Sequence, residues 1–347
     1  MKVEKVNQSR WDKDGWRNTE FGSVFSDHMF VVKYKNGEWQ EGEIKPYGTI
    51  SILPSLHSLH YGQAIFEGMK AYKGPKDETF LFRPDQNAKR FNKSAKRMCM
   101  PEIPEDLFLE GLYELLKVDE KWIPKEASSA LYLRPFMFAS SNFIKANPSE
   151  EYTFIIITCP VQAYYKGEVH VKVESNYTRA AAGGTGAAKA AGNYGASFYP
   201  AKKAQENGYQ QLIWTDGNHH QFIEESGTMN IFFRRKDELV TPPLSDSILP
   251  GITRDSLIKL AEHHGIPCVQ EKIGLESLVL AHKSGKITEA FGAGTAATVA
   301  SINSITYKEE KLSFEINDDG FANKLKTELQ DIQYGRTEDP FGWRVTV

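Results

Sequence analysis

The pattern of apolar and polar positions along the chain predicts a fold that mixes strands and helices. Short runs or alternations of apolar residues are typical of strands, and apolar residues that return every three or four positions are typical of amphipathic helices. The first pattern predicts strands at residues 28–34, 129–139, 152–159, 210–214, 229–235 and 287–291. The second predicts helices at residues 85–100, 106–122, 253–264 and 319–334. We therefore expect an α/β fold of the mixed α+β kind.

With 347 residues, the chain exceeds the length of one ordinary hydrophobic core, so we expect two domains. A polar and aromatic stretch, residues 160–167, follows the apolar strand at 152–159, and we interpret it as the beginning of a connection. We predict a small N-terminal α/β domain over residues 1–160, an interdomain connection over 161–178 and a large C-terminal α/β domain over 179–347.

Charge and cysteine usage narrow the class of protein. The formal net charge is −3, from 42 basic and 45 acidic residues, which argues against a nucleic acid or an anionic membrane as partner. The first residues hold no apolar stretch, so we expect no signal peptide, and no segment reaches the length of a membrane span. Cys99, Cys159 and Cys268 lie far apart, which favours a soluble protein of a reducing, cytoplasmic compartment.

The histidines do not predict a metal site. His219 and His220 are adjacent, so in a strand they would face opposite ways, and His57 and His60 lack an obvious third ligand. We expect no metal.

One lysine stands within a stretch of very small residues, 183–195 (GGTGAAKAAGNYG). Glycine and alanine leave room for a large group beside the backbone and give Lys189 no ionic partner. A lysine held there would be partly desolvated, which disfavours the ammonium form and makes the amine a usable nucleophile for Schiff-base chemistry. A flexible loop with a solvated lysine is the alternative. A phosphate loop is disfavoured, because Ala188 and Ala190 replace two residues which that motif requires.

Residues 248–255 (ILPGITRD) form a candidate anion site. Pro250 and Gly251 favour a turn, and Thr253 can cap the helix that follows. The backbone amides of Ile252 and Thr253 would then point outward at the positive end of the helix dipole. An ordinary capped helix is the alternative.

Three charged side chains stand beside or within apolar strands. Glu224 and Glu225 directly precede the strand at 229–235, and alternation would turn at least one of them inward. A buried carboxylate needs a cationic or protonated partner, whereas two solvated glutamates in a turn are the alternative. Arg134, with Tyr132, interrupts the apolar run 129–139, and both side chains need polar partners, which makes them pocket candidates.

Seven segments, in chain order, closely resemble those of the branched-chain amino acid aminotransferases, which belong to the fold type IV pyridoxal-phosphate enzymes. They are YGQAIFEGMKAY, LFRPDQNAKRFNKSAKRMCMP, LYLRPFMF, GGTGAAKAAGNYG, IEESGTMNIF, LVTPPLSDSILPGITRDSL and FGAGTAATV. The resemblance extends from about Phe21 to Tyr334. It implies a two-domain fold type IV architecture, pyridoxal 5'-phosphate as cofactor, and reversible transfer of the amino group of leucine, isoleucine or valine to 2-oxoglutarate.

The resemblance also implies cofactor-binding roles. Lys189 matches the catalytic lysine that holds the cofactor as a Schiff base and, once freed, moves a proton between the substrate and the cofactor. Glu225 matches the glutamate that keeps the pyridine nitrogen protonated, and Tyr194 matches the tyrosine that bonds the ring hydroxyl. The residues that match the phosphate site are Arg90, Ile252, Thr253 and Thr295.

Substrate-binding roles follow from the same resemblance. The residues that match the walls of the side-chain pocket are Phe21, Phe66, Tyr132, Tyr164 and Thr228. Tyr61, with the amides of Thr295 and Ala296, matches the site of the α-carboxylate. Arg134 matches the arginine that admits the distal carboxylate of glutamate.

Assembly and regulation are further expectations. The family is at least dimeric, and the loop around Ile144 would close the pocket of a partner subunit. Ala297 and Ala300 stand where mammalian members carry a redox CxxC, so we expect no thiol control by that pair. We also expect Cys99 to be packed in a helix, Cys159 to be buried, and Cys268 to be the most exposed thiol.

Two other functions remain open from the residues. A D-amino acid aminotransferase or an aminodeoxychorismate-lyase-like enzyme of the same fold would share Lys189, Glu225 and Arg90. A phosphate- or cofactor-binding protein without catalytic activity is the alternative from another class.

Overall fold

The structure is a computed structural model, and it describes residues 1–12, 15–17, 19–162 and 167–347. The chain divides into two compact units. Unit 1 comprises Met1–Tyr164, Ala188–Gly192 and Ile332–Val347, and unit 2 comprises Tyr165–Ala187 and Asn193–Asp331. The short segment that carries Lys189 therefore belongs to unit 1, although the residues on both sides of it belong to unit 2.

The described residues form helices and strands throughout, and none of the helices is both long and apolar enough to cross a bilayer. The helices are α1 (His57–Tyr61), α2 (Pro84–Arg97), α3 (Glu105–Val118), α4 (Ala191–Glu206), α5 (Ile252–His263), α6 (Leu275–Lys283) and α7 (Phe321–Gln333). The strands of the first half are β1 (Lys2–Val3), β2 (His28–Lys35), β3 (Glu38–Trp39), β4 (Glu43–Pro46), β5 (Ala64–Phe66), β6 (Met69–Lys73), β7 (Thr79–Phe82), β8 (Ala130–Ala139) and β9 (Tyr152–Val161). Those of the second half are β10 (His170–Val173), β11 (Gln211–Thr215), β12 (Phe222–Ser226), β13 (Met229–Arg235), β14 (Glu238–Thr241), β15 (Cys268–Gln270), β16 (Ile273–Gly274), β17 (Ile287–Gly294), β18 (Thr298–Ser301), β19 (Ser304–Tyr307), β20 (Glu310–Ser313) and β21 (Arg344–Thr346).

Unit 1 is built on a sheet whose main path runs β1-β4-β2-β9-β8-β6-β7-β21, with β5 paired to β8. Helix α2 lies against this sheet because Ala88, Phe91 and Ala95 recur at helical spacing and are fully buried. Their partners include Phe108 of α3 and Phe154 of β9, whose ring centres lie 5.6 Å and 5.3 Å from that of Phe91. This aromatic core fixes α2, which carries Arg90.

Unit 2 contains a second sheet with the main path β15-β14-β13-β12-β11-β10-β19-β20, and β17 pairs with β13 and β18. Its core combines inward residues of β11, β12 and β13 with one face of α6. Both sheets combine with helices, as expected for the mixed α/β class.

Most predicted elements agree with the structure to within a few residues, and β13 agrees fully. The main element that the sequence did not predict is α4, because its first residues belong to the small-residue stretch 183–195, for which no helix was predicted. The predicted boundaries at 161–178 remain a prediction. That stretch contains β10, and its predecessor β9 continues through Val161 rather than ending at Cys159.

Two expectations about the cysteines were wrong. Cys99 lies beyond the end of α2 with φ of 53° and is exposed, because the helix ends at Arg97. Cys268 lies in β15 and is only partly exposed, so it is not the most exposed thiol. Cys159 is buried, as expected.

Candidate active site

In unit 1, the backbone of Lys189 is held by two neighbouring elements. Its N–H donates to Ser94 Oγ of α2 at 2.9 Å, and its carbonyl accepts from the N–H of Phe66 at 3.0 Å. Ala190 forms an isolated bridge with Ile65 of β5. Lys189 is half-buried, and its amine lies 4.8 Å from the centre of the Phe66 ring. A small-residue segment therefore places this amine at a fixed position beside an aromatic face.

Aromatic rings and one arginine surround the same phenylalanine. The guanidinium carbon of Arg134 lies 4.5 Å from the centre of the Phe66 ring, and Arg134 Nη2 donates to Tyr132 Oη at 3.1 Å. Tyr132 and Arg134 are two residues apart in β8, so they share one face of the sheet. Phe21 contacts Tyr132 edge-on, with ring centres 5.1 Å apart. The structure thus brings together four of the residues predicted to line the substrate pocket in unit 1.

Space beside Tyr132 depends on the absence of a side chain at Gly68. A Cβ atom at Gly68 would lie 2.1 Å from Tyr132 Oη, which is far inside van der Waals contact. Glycine at this position therefore allows the tyrosine hydroxyl to reach Arg134.

Arg90 of α2 is paired with a carboxylate that the sequence analysis did not single out. Arg90 Nε donates to Glu67 Oε1 at 2.7 Å, and Nη2 donates to Oε2 at 2.8 Å. Asn87 Nδ2 donates to the same Oε2 at 2.8 Å. Burial would raise the pKa of the Glu67 carboxyl, but the Arg90 guanidinium beside it, with smaller effects from Lys189 and Asn87, holds that pKa below its ordinary value.

Tyr61 and Ile144 are exposed residues of unit 1. Tyr61 ends α1 and is 44% exposed, and Ile144 is 67% exposed. The ring of His57 lies 4.9 Å from the ring of Tyr61 and 5.2 Å from that of Phe143, the residue before Ile144. Aromatic contacts through His57 therefore link Tyr61 to the segment that carries Ile144.

In unit 2, β12 turns Glu225 inward and leaves Glu224 half-buried, so the predicted inward glutamate is confirmed. Glu225 Oε1 accepts from the N–H of Leu249 at 2.8 Å and from Asn230 Nδ2 at 3.3 Å. Arg179 Nε lies 3.0 Å from Glu225 Oε2, an ion pair by distance rather than an aligned hydrogen bond. The fold itself thus supplies one cationic partner for this carboxylate.

Glu224 has a different environment. It accepts a hydrogen bond from Ser247 Oγ, and burial raises the pKa of its carboxyl despite that bond and the nearby charge of Arg179. Adjacent glutamates therefore differ, and the contacts favour the anion at Glu225.

Strand register brings the hairpin turns of unit 2 to one edge of the sheet. Glu225 pairs with Asn230, and Asn230 pairs with Ala293 of β17. Thr228 lies in the turn between β12 and β13, while Thr295 and Ala296 lie in the turn between β17 and β18. Both turns therefore lie at the same end of β13 as Glu225.

Helix α5 begins beside this edge. Gly251 precedes its first residue, Ile252, so Thr253 is the second helical residue and the prediction that it caps the helix was wrong. A Cβ atom at Gly251 would lie 2.0 Å from Asn230 Oδ1, so a glycine permits this close approach. The first-turn amides of Ile252 and Thr253 have no acceptor within the helix by geometry, which is the property predicted for an anion site.

Tyr194 lies in α4 and is half-buried. The neighbouring Asn193 joins this helix to the glycine-rich segment, because its Nδ2 donates to the carbonyl of Thr185 at 2.8 Å and its Oδ1 accepts from Thr185 Oγ1 at 2.7 Å. Tyr164, predicted to line the substrate pocket, lies outside the described residues.

Sequence reasoning missed Glu67, Arg179 and Asn230. Glu67 gave one usable signal, a lone acid in the apolar run AIFEGM. Asn230 lies in the family segment IEESGTMNIF, five residues from its partner Glu225, but it was given no role. Arg179 gave no signal, because its partner Glu225 is distant along the chain. Within the described ranges, no group of three or more His, Cys, Asp or Glu side chains is arranged to hold a metal ion.

Comparison with known proteins agrees with this geometry. The family model for amino-transferase class IV matches residues 64–305. Branched-chain-amino-acid aminotransferase 2 of Bacillus subtilis is 43% identical, over 94% of this chain and 92% of the relative. A probable branched-chain-amino-acid aminotransferase of Staphylococcus epidermidis is 42% identical, over 100% of this chain and 98% of the relative.

Solved structures show the same fold. The branched-chain amino acid aminotransferase of Escherichia coli matches with a TM-score of 0.74 and 28% identity, over 92% of this chain and 98% of that chain. A branched-chain aminotransferase from Thermoproteus uzoniensis, crystallised with norvaline, matches with a TM-score of 0.77 and 26% identity, over 92% of this chain and 99% of that chain.

The chain belongs to the class IV aminotransferases. Within that family its relatives at 40–43% identity are named branched-chain-amino-acid aminotransferases, so the predicted enzyme class is confirmed. The two rival activities of the same fold are not favoured.

Proposed function

We propose that the chain transfers the amino group of leucine, isoleucine or valine to 2-oxoglutarate, with pyridoxal 5'-phosphate held covalently by Lys189. The reverse reaction regenerates the amino acid from its 2-oxo acid and glutamate. The observation that carries the proposal is the Lys189 amine fixed 4.8 Å from the Phe66 ring, with Arg134 4.5 Å from that same ring.

The residues of each unit fit this cofactor. Unit 1 offers the half-buried Lys189 amine and the Arg90 guanidinium, which suit an aldehyde and a phosphate. Unit 2 offers the buried Glu225 carboxylate for a protonated ring nitrogen, and the first-turn amides of α5 for a phosphate. When bound, pyridoxal phosphate supplies an aldehyde and a ring that withdraws electrons. Tyr194 and Thr295 complete the proposed cofactor contacts, through the ring hydroxyl and the phosphate.

Lys189 would carry the proton of the reaction. The backbone of Lys189 is fixed at Ser94 and Phe66, and its amine is half-shielded from water. Such an amine is suited to take a proton from the substrate Cα and to pass it to the cofactor. The proton transfer depends on position, so the two backbone contacts support the role as much as the chemistry of the amine does.

Substrate selection would use the walls described in unit 1. Phe21, Phe66 and Tyr132 offer apolar surface to a branched side chain. Arg134 would bind the distal carboxylate of glutamate, the second amino donor. Its buried Nε has no hydrogen-bond partner among the described residues and is suited to such a carboxylate. From unit 2, Thr228 would border the same side chain, and the amides of Thr295 and Ala296 would bind the α-carboxylate.

The proposed assembly is a homodimer or a larger homo-oligomer. Tyr61 and Ile144 are both exposed large hydrophobic residues of unit 1, which supports a role for them in the pocket of a partner subunit. The proposed partners otherwise are amino acids and 2-oxo acids, without nucleic acid or membrane. The proposed location is the cytoplasm, because three free thiols are typical of a reducing compartment.

A spectral titration tests this function. The purified protein with pyridoxal phosphate should change its cofactor absorbance on addition of L-leucine and recover the original spectrum on addition of 2-oxoglutarate. D-alanine is the matched control, and it should leave the spectrum unchanged. A response to D-alanine alone would contradict the proposal and indicate a D-amino acid aminotransferase.

A further inference from the structure

Glu67 is a fully buried carboxylate that belongs to no predicted role. It lies between β5 and β6, and its side chain has no exposed surface. A buried carboxylate is strongly destabilising unless charge and hydrogen bonds compensate for the loss of water. The presence of a buried glutamate at this position therefore needs a physical explanation.

The hydrogen bonds of Glu67 are complete and directed. Oε1 accepts from Arg90 Nε, while Oε2 accepts from Arg90 Nη2, Asn87 Nδ2 and, at 3.1 Å, the N–H of Gly68. Two parallel bonds to one guanidinium fix both its position and its plane, which a single bond would not do. Arg90 Nε and Nη2 therefore each donate a hydrogen bond to Glu67. A phosphate would have to bind to the remaining N–H groups of the Arg90 guanidinium.

Helix α2 connects this pair to the lysine. Asn87 and Arg90, which contact Glu67, and Ser94, which bonds the N–H of Lys189, recur at spacings of three and four residues on one helix face. Ser94 Oγ also donates to the carbonyl of Arg90 at 3.0 Å. The orientation of Arg90 and the position of Lys189 are therefore set by the same rigid element.

We propose that Glu67 is a positioning residue that orients Arg90 for the phosphate of the cofactor. This inference rests on the proposed function, in which Arg90 binds that phosphate. Glu67 itself is negatively charged and would repel a phosphate, so its contribution is to geometry rather than to attraction. Charge and geometry make opposite predictions for the loss of the carboxylate, and this difference makes the proposal testable.

The test compares two ligands that differ only in the phosphate. Cofactor-stripped protein is titrated with pyridoxal phosphate and, separately, with pyridoxal, and dissociation constants are read from absorbance. Glu67→Gln should weaken the binding of pyridoxal phosphate by about tenfold or more, and that of pyridoxal by less than about threefold. Arg90→Gln should likewise weaken the binding of pyridoxal phosphate more than that of pyridoxal. The double variant should bind no more than about threefold weaker than either single variant, because both act through one contact.

Asp119→Asn is the matched control. Asp119 is another buried acid of unit 1, bonded to His28 Nδ1 at 2.6 Å and remote in sequence from the proposed cofactor residues. It should lower stability without changing the ratio of the two dissociation constants. Should Glu67→Gln fail to fold, as judged by circular dichroism, Glu67→Asp provides the same comparison. That variant retains the charge but shortens the side chain, and it should lose phosphate selectivity in the same direction.

Several results would overturn the proposal. Tighter or unchanged binding of pyridoxal phosphate by Glu67→Gln would mean that charge, not geometry, is what Glu67 contributes. Equal losses for both ligands would mean a purely structural role. If Glu67→Asp had the same ratio of the two dissociation constants as the wild-type protein, that result would also contradict the proposal. Wild-type protein that fails to bind pyridoxal phosphate would overturn the proposed function itself, whereas retained phosphate preference in the variants overturns this inference alone.

Discussion

Each unit contains a buried arginine–glutamate pair that includes one candidate site residue. In unit 1 that residue is the arginine, and in unit 2 it is the glutamate. In unit 1, Arg90 is the predicted ligand-binding group and Glu67 holds it, with side chains 8% and 0% exposed. In unit 2, Glu225 is the predicted ligand-binding group and Arg179 lies against it, with side chains 4% and 11% exposed. In each pair, the group proposed to face the cofactor was assigned from a family segment. Glu67 lies in such a segment but was given no role, and Arg179 lies in none of the seven segments.

The geometry of the two pairs also differs. Glu67 contacts Arg90 through both carboxylate oxygens, at 2.7 Å and 2.8 Å, so the guanidinium is fixed in its plane. Arg179 Nε lies 3.0 Å from one oxygen of Glu225, and Arg179 Nη2 donates to the carbonyls of Ser247 and Gly186. The first arrangement fixes an orientation, whereas the second stabilises an anion and joins it to the glycine-rich segment. The comparison indicates that a functional charge in a protein interior requires a counter-ion, which the fold supplies from elsewhere in the chain.

Among the residues of the two pairs, the largest effect is expected for Glu225. Glu225→Gln removes the anion that would keep the ring nitrogen protonated, so turnover should fall by about a hundredfold or more, on the order of 3 kcal/mol in the barrier. Single-turnover rates with leucine measure this effect. Glu224→Gln is the matched control and should retain most activity, because that carboxyl is bonded to Ser247 instead. The reverse order of losses would mean that Glu224 is the functional acid.

The next prediction concerns the stability of the unit 2 pair. Arg179→Met leaves Glu225 buried without this cation, so the free energy of unfolding should fall by about 3 kcal/mol. Urea denaturation of the cofactor-free protein measures it. Lys283→Met is the control, because Lys283 is 56% exposed in its pair with Glu310, which is 48% exposed, and the substitution should cost less than about 1 kcal/mol. Equal losses for both variants would remove the distinction between buried and exposed pairs.

A smaller and selective effect is expected for Arg134. Arg134→Met should reduce the single-turnover rate with glutamate by about tenfold relative to that with leucine, because a charge-assisted hydrogen bond to the distal carboxylate is lost. Tyr132→Phe removes only the hydroxyl that accepts from Arg134, and it should have a weaker effect in the same direction. Equal losses with both substrates would indicate a structural role for Arg134.

The smallest effect is expected from oxidation. Burial raises the pKa of Cys159 and that of Cys268 to about 11, so near neutral pH both thiols stay protonated and react slowly. Activity across a series of peroxide and dithiothreitol concentrations should stay nearly constant. A reversible loss of most activity would contradict this expectation, and Cys99→Ser would then identify whether the exposed thiol is responsible.

Sequence patterns predicted the fold where the signal was local. Apolar spacing located α2, α3, α5, α7 and the main strands, because burial of one face leaves that spacing in the sequence. Helix α4 was missed, since Gly192, Gly195 and Pro200 are poor helix formers and its buried residues, Pro200 and Ala204, are too few to leave an apolar stripe in the sequence.

The candidate site was predictable to a similar extent. The family motifs led to Lys189, Arg90 and Glu225, but the counter-ions Glu67 and Arg179 depend on which segments the fold brings together. A helix start was also predicted with the wrong cap, because Gly251 rather than Thr253 precedes the first helical residue. Local chemistry was thus readable from the chain, and pairing between distant segments was not.

Covalent attachment of the cofactor to Lys189 is the central claim, and reductive labelling tests it directly. Wild-type protein loaded with pyridoxal phosphate is treated with borohydride, digested and mapped by mass spectrometry, with Lys189→Ala as control. The account predicts one labelled peptide that carries the modification at Lys189, and no specific label together with essentially no turnover in the variant. A label at any other lysine, or a Lys189→Ala protein that retains turnover, would contradict it.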